Sequence, residues 1–225
     1  MNSSGLVSKA FAVFAKDLRL EWRTRYALNT ILMFGVTTLA VVSFSLGQAG
    51  LPVKLLAALY WIVIFFSAMA ALAQVFTREE EAGTALALRL SAEPNAVYLG
   101  KLFFNLVLLT IMAAIITPLF FVFTDAPADN ILLFILVLAL GVLALCAATT
   151  LVAAIISRAA IKGALFAVLS FPILLLPLVL LVSASDAILL GQSLAAILAP
   201  LQALVAYIVV MLTASVMLFR FVWKA

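Results

Sequence analysis

The side chains best suited to chemistry lie in one short segment, between two long apolar runs, that holds four of the nine acidic residues of the chain. Glu79, Glu80 and Glu81 are consecutive there, and three leucines that could supply apolar contact follow them, Leu86, Leu88 and Leu90. Consecutive helical residues point about 100° apart, so these glutamates do not converge on one divalent cation, and we predict no metal site. Charged and apolar side chains together predict a surface that binds another protein, with a solvated charged loop as the alternative.

Most other chemistry is excluded by missing residues. The chain has no histidine, which removes the commonest general base and metal ligand. Gly100 and Lys101 do not belong to a phosphate-binding loop, because Leu102 follows the lysine and Asn95 stands where the first glycine of that motif belongs. The single cysteine, Cys146, lies in an apolar run and is predicted to be a small buried side chain. We therefore predict no catalytic residues and no enzyme, and any energy for transport must come from another chain.

Composition indicates which elements position the charged segment. The chain is 68% hydrophobic and 10% charged, whereas a soluble domain is usually about half apolar. The apolar residues form long continuous runs rather than the alternation of barrel strands, which predicts membrane-spanning helices. We predict one all-α, polytopic membrane domain over residues 1–225, with six spans at 28–46, 55–76, 102–124, 131–156, 164–184 and 201–219.

The basic residues predict the orientation of these spans. Twelve of the thirteen lysines and arginines fall on one side of the predicted spans, and Lys54 alone falls on the other. Cytoplasmic loops collect lysine and arginine near the ends of spans. Both termini are therefore predicted to be cytoplasmic, which agrees with an even number of spans.

An amphipathic helix over about residues 5–26 is predicted before the first span. Such a helix, with a basic polar face, is suited to the cytoplasmic headgroup layer of a membrane. Two functions are open: an anchor attracted by anionic lipid, or a lever that leads into the first span and also touches a cytoplasmic partner. The apolar face consists of Val7, Phe11, Phe14, Leu18 and Trp22, and the opposite face carries Lys9, Lys16, Arg19 and Arg23.

Local signals predict how the charged segment begins and how the chain turns on the outer side. Thr77 and Glu80 have the spacing of a capping box at the start of a short helix. Glu93 and Pro94 mark the start of the next helix, because proline is tolerated in a first turn. Residues 186–199 are apolar but too short to span a bilayer, so we predict a separate short helix at the outer interface.

The charged segment and its flanks resemble a known family. The features shared with that family are an aromatic residue, acids, a glycine, leucines, a proline and a basic residue, here Phe76, Glu79, Glu80, Gly83, Thr84, Leu86, Leu88, Pro94 and Lys101. Together with the six predicted spans and the basic amphipathic start, they make the chain similar to the haem exporter protein B (CcmB) family, the six-span permease subunits of an ABC transporter. Ala85 and Ala87 depart from that family, which often has an acidic residue soon after the glycine. The broader type-2 ABC exporter permeases share a similar loop.

The resemblance implies a multi-subunit complex in cytochrome c maturation. Two permease copies would bind two ATPase subunits, which hold ATP and Mg²⁺, with a haem-handling membrane subunit, a small accessory membrane subunit and a haem chaperone. ATP hydrolysis would drive haem delivery, or release of the haem-loaded chaperone, on the outer face of the bacterial inner membrane. The complex would handle the haem, and this chain would bind no cofactor of its own and no nucleic acid. The alternative is a general type-2 export permease for a lipid, drug or polysaccharide.

We expect the energy of the partner ATPase to enter through residues 77–93, the coupling segment. It is the most elaborate loop on the predicted cytoplasmic side, and no charge lies in the middle of a predicted span. Its glutamates are expected to pair with basic residues of the ATPase, and its leucines to supply apolar contact. The residues assigned to coupling are Phe76, Arg78, Glu79, Glu80, Glu81, Gly83, Thr84, Leu86, Leu88, Pro94 and Lys101.

Overall fold

The computed structural model describes residues 3–46, 51–72, 75–127, 129–157 and 162–224. These ranges contain nine α-helices and no strand. In chain order the helices are α1 (Ser3–Thr24), α2 (Tyr26–Leu46), α3 (Val53–Leu72), α4 (Thr77–Glu81), α5 (Ala85–Ser91), α6 (Pro94–Thr124), α7 (Ile131–Ile156), α8 (Lys162–Leu189) and α9 (Leu194–Lys224).

Six of these helices are strongly apolar and correspond to the six predicted spans. Five of them, α2 and α6 to α9, are long and apolar enough to cross a membrane. The sixth, α3, has 20 residues and is therefore about 30 Å long, close to the thickness of the hydrocarbon core. Its described apolar stretch is shorter, Val53–Met69. The protein is an all-α, polytopic membrane protein, as predicted.

Helix α7 contacts α6, α8 and α9 and lies at the centre of the bundle. Its Gly141 faces Trp61 of α3, and a Cβ added to that glycine would overlap the indole ring. Small residues allow this kind of close approach between helices in membranes. The indole Nε1 of Trp61 donates to Ser185 Oγ of α8 at 2.8 Å, so α3, α7 and α8 meet at one point.

Polar side chains inside the bundle also join helices. The hydroxyls of Tyr60 in α3 and Thr117 in α6 are 2.7 Å apart. Asn105 Nδ2 of α6 donates to Thr150 Oγ1 of α7 at 2.7 Å. Interhelical hydrogen bonds of this kind contribute about 0.6–2 kcal/mol each in membranes. They fix α6 in position against both neighbours.

The prediction of a separate outer helix over residues 186–199 is wrong. Helix α8 continues to Leu189 and α9 begins at Leu194, so the segment is two helix ends joined by a tight turn. Gly191 has a φ of 70°, a conformation that glycine adopts without a steric penalty. Its amide donates to the carbonyl of Ile188 at 2.9 Å, which ends α8 in a common way.

The local predictions near the coupling segment have mixed outcomes. Helix α6 begins at Pro94 with Glu93 as its N-cap, as predicted. The capping box is wrong, because Thr77 is already helical and Phe76 occupies the N-cap without a side-chain hydrogen bond. Arg25 lies between α1 and α2 with a φ of 52°, in the left-handed region that few residues other than glycine adopt. The N-terminal helix is therefore separated from the first span at that residue.

Candidate functional site

Helix α1 has three faces rather than the two predicted. The predicted apolar face is largely exposed, with Phe11 at 66% and Trp22 at 77%. The basic face is exposed as well. Between them lies an inward face that was not predicted, although its residues recur every three or four positions, as one side of a helix requires. This inward face consists of Ala10, Val13, Asp17 and Glu21, all of them buried.

The inward face of α1 packs against the first turns of α6. Gly100 is the point of closest approach, since an added Cβ would lie 2.7 Å from the carbonyl oxygen of Ala10 and 2.7 Å from Val13 Cβ. A residue with a side chain would therefore displace the backbone of α1. The close approach brings the next residue of α6, Lys101, against Asp17.

Lys101 lies at the centre of a buried ion cluster, formed with Asp17, Glu79 and Lys16, where α1, α4 and α6 meet. The Lys101 side chain is 2% exposed, and its Nζ is 2.9 Å from Asp17 Oδ2 and 2.9 Å from Glu79 Oε1. It also donates to the carbonyl of Val75 at 3.0 Å. Hydrogen bonds to Glu79 and to the carbonyl of Val75, together with the adjacent Asp17 carboxylate, thus surround the ammonium group, as a buried charge requires.

Glu79 is the second buried member of the ion cluster. It also pairs with Lys16, and it accepts a hydrogen bond from Thr84 Oγ1 at 2.7 Å. Burial alone would raise the pKa of Glu79, but the charge of Lys101 and the hydrogen bonds outweigh it and lower the pKa to about 2. Burial alone would lower the pKa of Lys16, but Glu79 and Asp17 raise it above its ordinary value. Glu79 and Lys16 are therefore both charged at neutral pH.

A second ion pair holds the end of α1. Arg78 Nη1 lies 3.0 Å from Glu21 Oε2, and the other carboxylate oxygen of Glu21 accepts a hydrogen bond from the backbone N–H of Leu28 at 2.9 Å. The guanidinium of Arg78 also lies over the Tyr26 ring, 5.2 Å from its centroid, in a cation–π arrangement. Glu21 thus joins α1 both to the coupling segment and to α2.

An aromatic cluster anchors the coupling segment to α9. Phe76 is 1% exposed, and its ring centroid lies 5.6 Å from that of Phe219 and 6.1 Å from that of Trp223. Arg89 of α5 lies over the Trp223 ring at 5.0 Å and pairs with Glu80 at 3.0 Å. Side chains of the coupling segment and its flanks are thus held against α1, α6 and α9.

The predicted coupling residues differ in exposure. The ion partners of Glu79 lie within the chain, so in this structure its carboxylate does not face outward to a partner. Contact with a partner is restricted to the exposed positions, and the buried residues support them from beneath. Buried are Phe76, Glu79, Leu88 and Lys101; partly buried are Arg78, Glu80 and Pro94; exposed are Glu81, Gly83, Thr84 and Leu86.

Helix α5 presents two leucines to the outside. Leu86 is 66% exposed and Leu90 is 83% exposed, one turn apart on the same face. Leu88 is buried on the other side and anchors the helix to the bundle. Gly83, with a φ of 67°, makes the turn between α4 and α5 that sets this orientation. The sequence offers Leu86, Leu88 and Leu90 alike as apolar contacts, because it does not distinguish the outward leucines from the inward one.

The ion cluster has the chemistry of a structural junction. Its two carboxylates are balanced by two ammonium groups, which leaves no net negative charge to attract a cation. Across the described ranges, no group of three or more His, Cys, Asp or Glu side chains is placed to hold a metal ion. The cysteine, Cys146, is completely buried in α7.

Comparison with known proteins places the chain in a family. No curated protein matches it. A family model described as CcmB protein matches residues 8–221, which include the coupling segment, most of α1 and nearly all of the six apolar helices. That family comprises multi-pass ABC transporter permeases of the bacterial inner membrane that act in haem export for cytochrome c maturation. With more than nine-tenths of its length matched, the chain belongs to the CcmB family.

Proposed function

We propose that this permease couples ATP hydrolysis by a partner ATPase to haem delivery, or to release of a haem-loaded chaperone, on the outer face of the membrane. The family makes the chain a permease subunit in cytochrome c maturation, and the coupling step is the finer proposal. The observation that carries it is the pair of exposed leucines on α5, which lie outside the spans and are supported by buried contacts.

Leu86 and Leu90 are suited to enter an apolar cleft on the ATPase. Full burial of a leucine side chain contributes about 1.5–3 kcal/mol relative to exposure. These two residues are 66% and 83% exposed, so burying both contributes about 2–5 kcal/mol before the costs of association. An exposed ion pair contributes only about 0–1 kcal/mol. The leucines therefore dominate the expected affinity.

The support beneath the leucines links a docked ATPase to the spans. The coupling segment is joined to α6 through Glu79 and Lys101 and to α9 through Arg89 and Trp223. A displacement of α5 therefore reaches two spans directly rather than being absorbed by a loose loop. This connection supports a transmission role for the segment.

The proposed complex has the subunits that the family resemblance implies. Two copies of this chain bind two ATPase subunits, which hold ATP and Mg²⁺, and the complex also contains a haem-handling membrane subunit, a small accessory subunit and a haem chaperone. The coupling segment and both termini are placed in the cytoplasm, because twelve of the thirteen basic residues lie on that side of the spans. Because the chain has no histidine, axial ligation of haem is assigned to the haem-handling subunit.

The test is a double substitution, Leu86→Asp with Leu90→Asp, and the matched control is Leu86→Met, which keeps an apolar side chain of similar volume. The readouts are co-purification of the ATPase in mild detergent, the membrane level of the variant, and the cytochrome c content of the cells. We expect the aspartate variant to insert normally but to lose the ATPase and cytochrome c maturation, whereas the methionine variant keeps both.

Two outcomes would change the proposal. If the aspartate variant retains the ATPase and supports maturation, these leucines are not the docking surface. If cells that lack this chain mature cytochrome c normally, the general export permease for a lipid, drug or polysaccharide is the better interpretation. The general export permease remains the second candidate function because Ala85 and Ala87 depart from the family pattern.

A further inference from the structure

A small cavity with a volume of about 20 Å³ lies against the ion cluster, where residues of α1, α2, α4 and α6 meet. Four charged side chains line it, those of Asp17, Arg78, Glu79 and Lys101, and apolar side chains form the remaining walls. A cavity needs about 10–15 Å³ to hold one water molecule. The space beside the ion cluster is therefore large enough for a single water and too small for an organic ligand.

Two polar atoms of the residues that line the cavity lack hydrogen bonds. Asp17 Oδ2 and Arg78 Nη2 are both buried, and neither has a hydrogen-bond partner in the part of the chain that the structure describes. Asp17 Oδ2 lies 2.9 Å from Lys101 Nζ, but this ion pair does not have the geometry of a hydrogen bond. Arg78 pairs with Glu21 through Nη1. Because buried polar groups are normally paired with protein or with ordered water, one acceptor and one donor need a partner here.

Lys101 supplies a second donor. Its ammonium group carries three N–H donors, and the hydrogen bonds to the carbonyl of Val75 and to Glu79 Oε1 use two of them. A buried water typically makes about three hydrogen bonds. A water in the cavity would donate to Asp17 Oδ2 and accept from Arg78 Nη2 and from the remaining N–H of Lys101. The wall thus offers the number and the kinds of partner that one water requires.

The charges around the cavity favour water over an ion. The carboxylates and the cations of the ion cluster and of the adjacent Glu21–Arg78 pair are equal in number, so they balance. A balanced surrounding does not offset the cost of removing a further ion from bulk solvent, whereas a neutral water both donates and accepts hydrogen bonds. The carboxylates are Asp17, Glu21 and Glu79, and the cations are Lys16, Arg78 and Lys101.

We propose that this cavity binds one ordered water molecule, which bridges Asp17 of α1, Arg78 of α4 and Lys101 of α6. The water joins the Glu21–Arg78 pair to the ion cluster, so that the three helices share one continuous polar network. Separating any of the three helices from the others then breaks a hydrogen bond to the water as well as an ion pair. The site lies within this chain and requires no partner, so it stands independently of the proposed function.

The test is X-ray radiolytic labelling of the full-length chain in nanodiscs, with the oxidised residues identified by mass spectrometry. Hydroxyl radicals form where water is irradiated, so a buried ring is oxidised quickly only if a bound water lies beside it. Phe104 is 5% exposed and lines the cavity, whereas Phe134 is 2% exposed, does not line it and serves as the internal control. Ala27→Val places a larger apolar side chain at the cavity wall. Ala57→Val, at a buried alanine of α3 that does not line the cavity, is the matched control.

We expect Phe104 to be labelled several-fold faster than Phe134 in the wild type and in Ala57→Val. In Ala27→Val the labelling of Phe104 should fall to the level of Phe134, because the larger side chain displaces the water. Equal labelling of Phe104 and Phe134 in the wild type would overturn the proposal. Labelling of Phe104 that Ala27→Val leaves unchanged would overturn it as well, since the water would then lie elsewhere. If Ala27→Val fails to insert, Ala27→Cys, a smaller enlargement, takes its place in the same comparison.

Discussion

Replacing Lys101 with methionine removes the charge that lies between two buried carboxylates. Methionine is similar in length and uncharged, so the change largely preserves the volume of the side chain in α6. The side chains of Asp17 and Glu79 are only 7% and 8% exposed. Without Lys101, these two buried carboxylates lose the cation that both of them contact. We expect α1 and the coupling segment to be held less firmly against α6.

The magnitude follows from the pKa of Glu79. Its fall from an ordinary 4.5 to about 2 corresponds to about 3 kcal/mol in favour of the charged form. Lys101 supplies the largest of the favourable contributions, so its loss should cost about 2–3 kcal/mol, near the lower end of what breaking a buried ion pair costs. For a chain of this size, that loss lowers the melting temperature by about 4–12 °C.

The assay measures thermal unfolding of the purified chain in detergent, together with hydrogen exchange of α1 and the coupling segment. Lys54→Met is the matched control, because Lys54 is exposed in α3 and far from the cluster in sequence. Adding Asp17→Asn and Glu79→Gln to Lys101→Met should recover part of the lost stability, since all the buried groups are then neutral.

Two results would refute this reasoning. One is a melting temperature of Lys101→Met within about 2 °C of the wild type, with unchanged exchange protection of α1. The other is a full loss of stability that the neutralised triple variant does not recover at all. The second result would show that packing around the Lys101 side chain, rather than its charge, holds the junction together.

Other parts of the structure give three further predictions. Gly141→Ala should force the Trp61 ring away from α7, which lowers the melting temperature and shifts tryptophan fluorescence; no change in either would contradict the close packing. The contribution of Glu79 is fully present above its ordinary pKa of 4.5 and is lost as the pH falls toward about 2. The wild type should therefore lose more stability than Glu79→Gln between about pH 5 and pH 3, and parallel melting curves would count against this. A reporter fused after Lys224 should be cytoplasmic and one inserted near Asp129 should be outside; an outside C-terminus would rule out the six-span orientation.

The six spans were predictable because the bilayer imposes a local rule. A spanning helix needs about 20 mostly apolar residues and satisfies its own backbone hydrogen bonds, so each run of sequence carries its own signal. The start of α6 at Pro94 was predictable for the same reason, because its signal lies in the adjacent residues. Neither prediction required knowledge of neighbouring helices.

The inward face of α1 could not be predicted in the same way. Helical spacing shows where Asp17 projects, but it does not show that Lys101, distant in sequence, lies opposite. A carboxylate on a helix is normally exposed to solvent. Asp17 is buried instead because α1 packs on α6. The leucines of α5 were unpredictable for the same reason. Leu88 is buried and Leu90 is exposed although their residue type is identical, so only the packing distinguishes them.

The ion cluster also restricts how the coupling segment moves. Moving Glu79 away from both Lys101 and Lys16 removes the ion partners of a buried carboxylate, which costs several kcal/mol. Moving the segment together with α1 and α6 keeps every pair intact. A load on α5 is therefore expected to displace α6 as one body. Helix α6 has 31 residues and is about 46 Å long, and near its far end the carbonyl of Phe123 accepts a hydrogen bond from Ser43 of α2 at 2.8 Å. We therefore expect a displacement at the coupling segment to reach the opposite ends of α6 and α2, on the face where haem delivery is proposed.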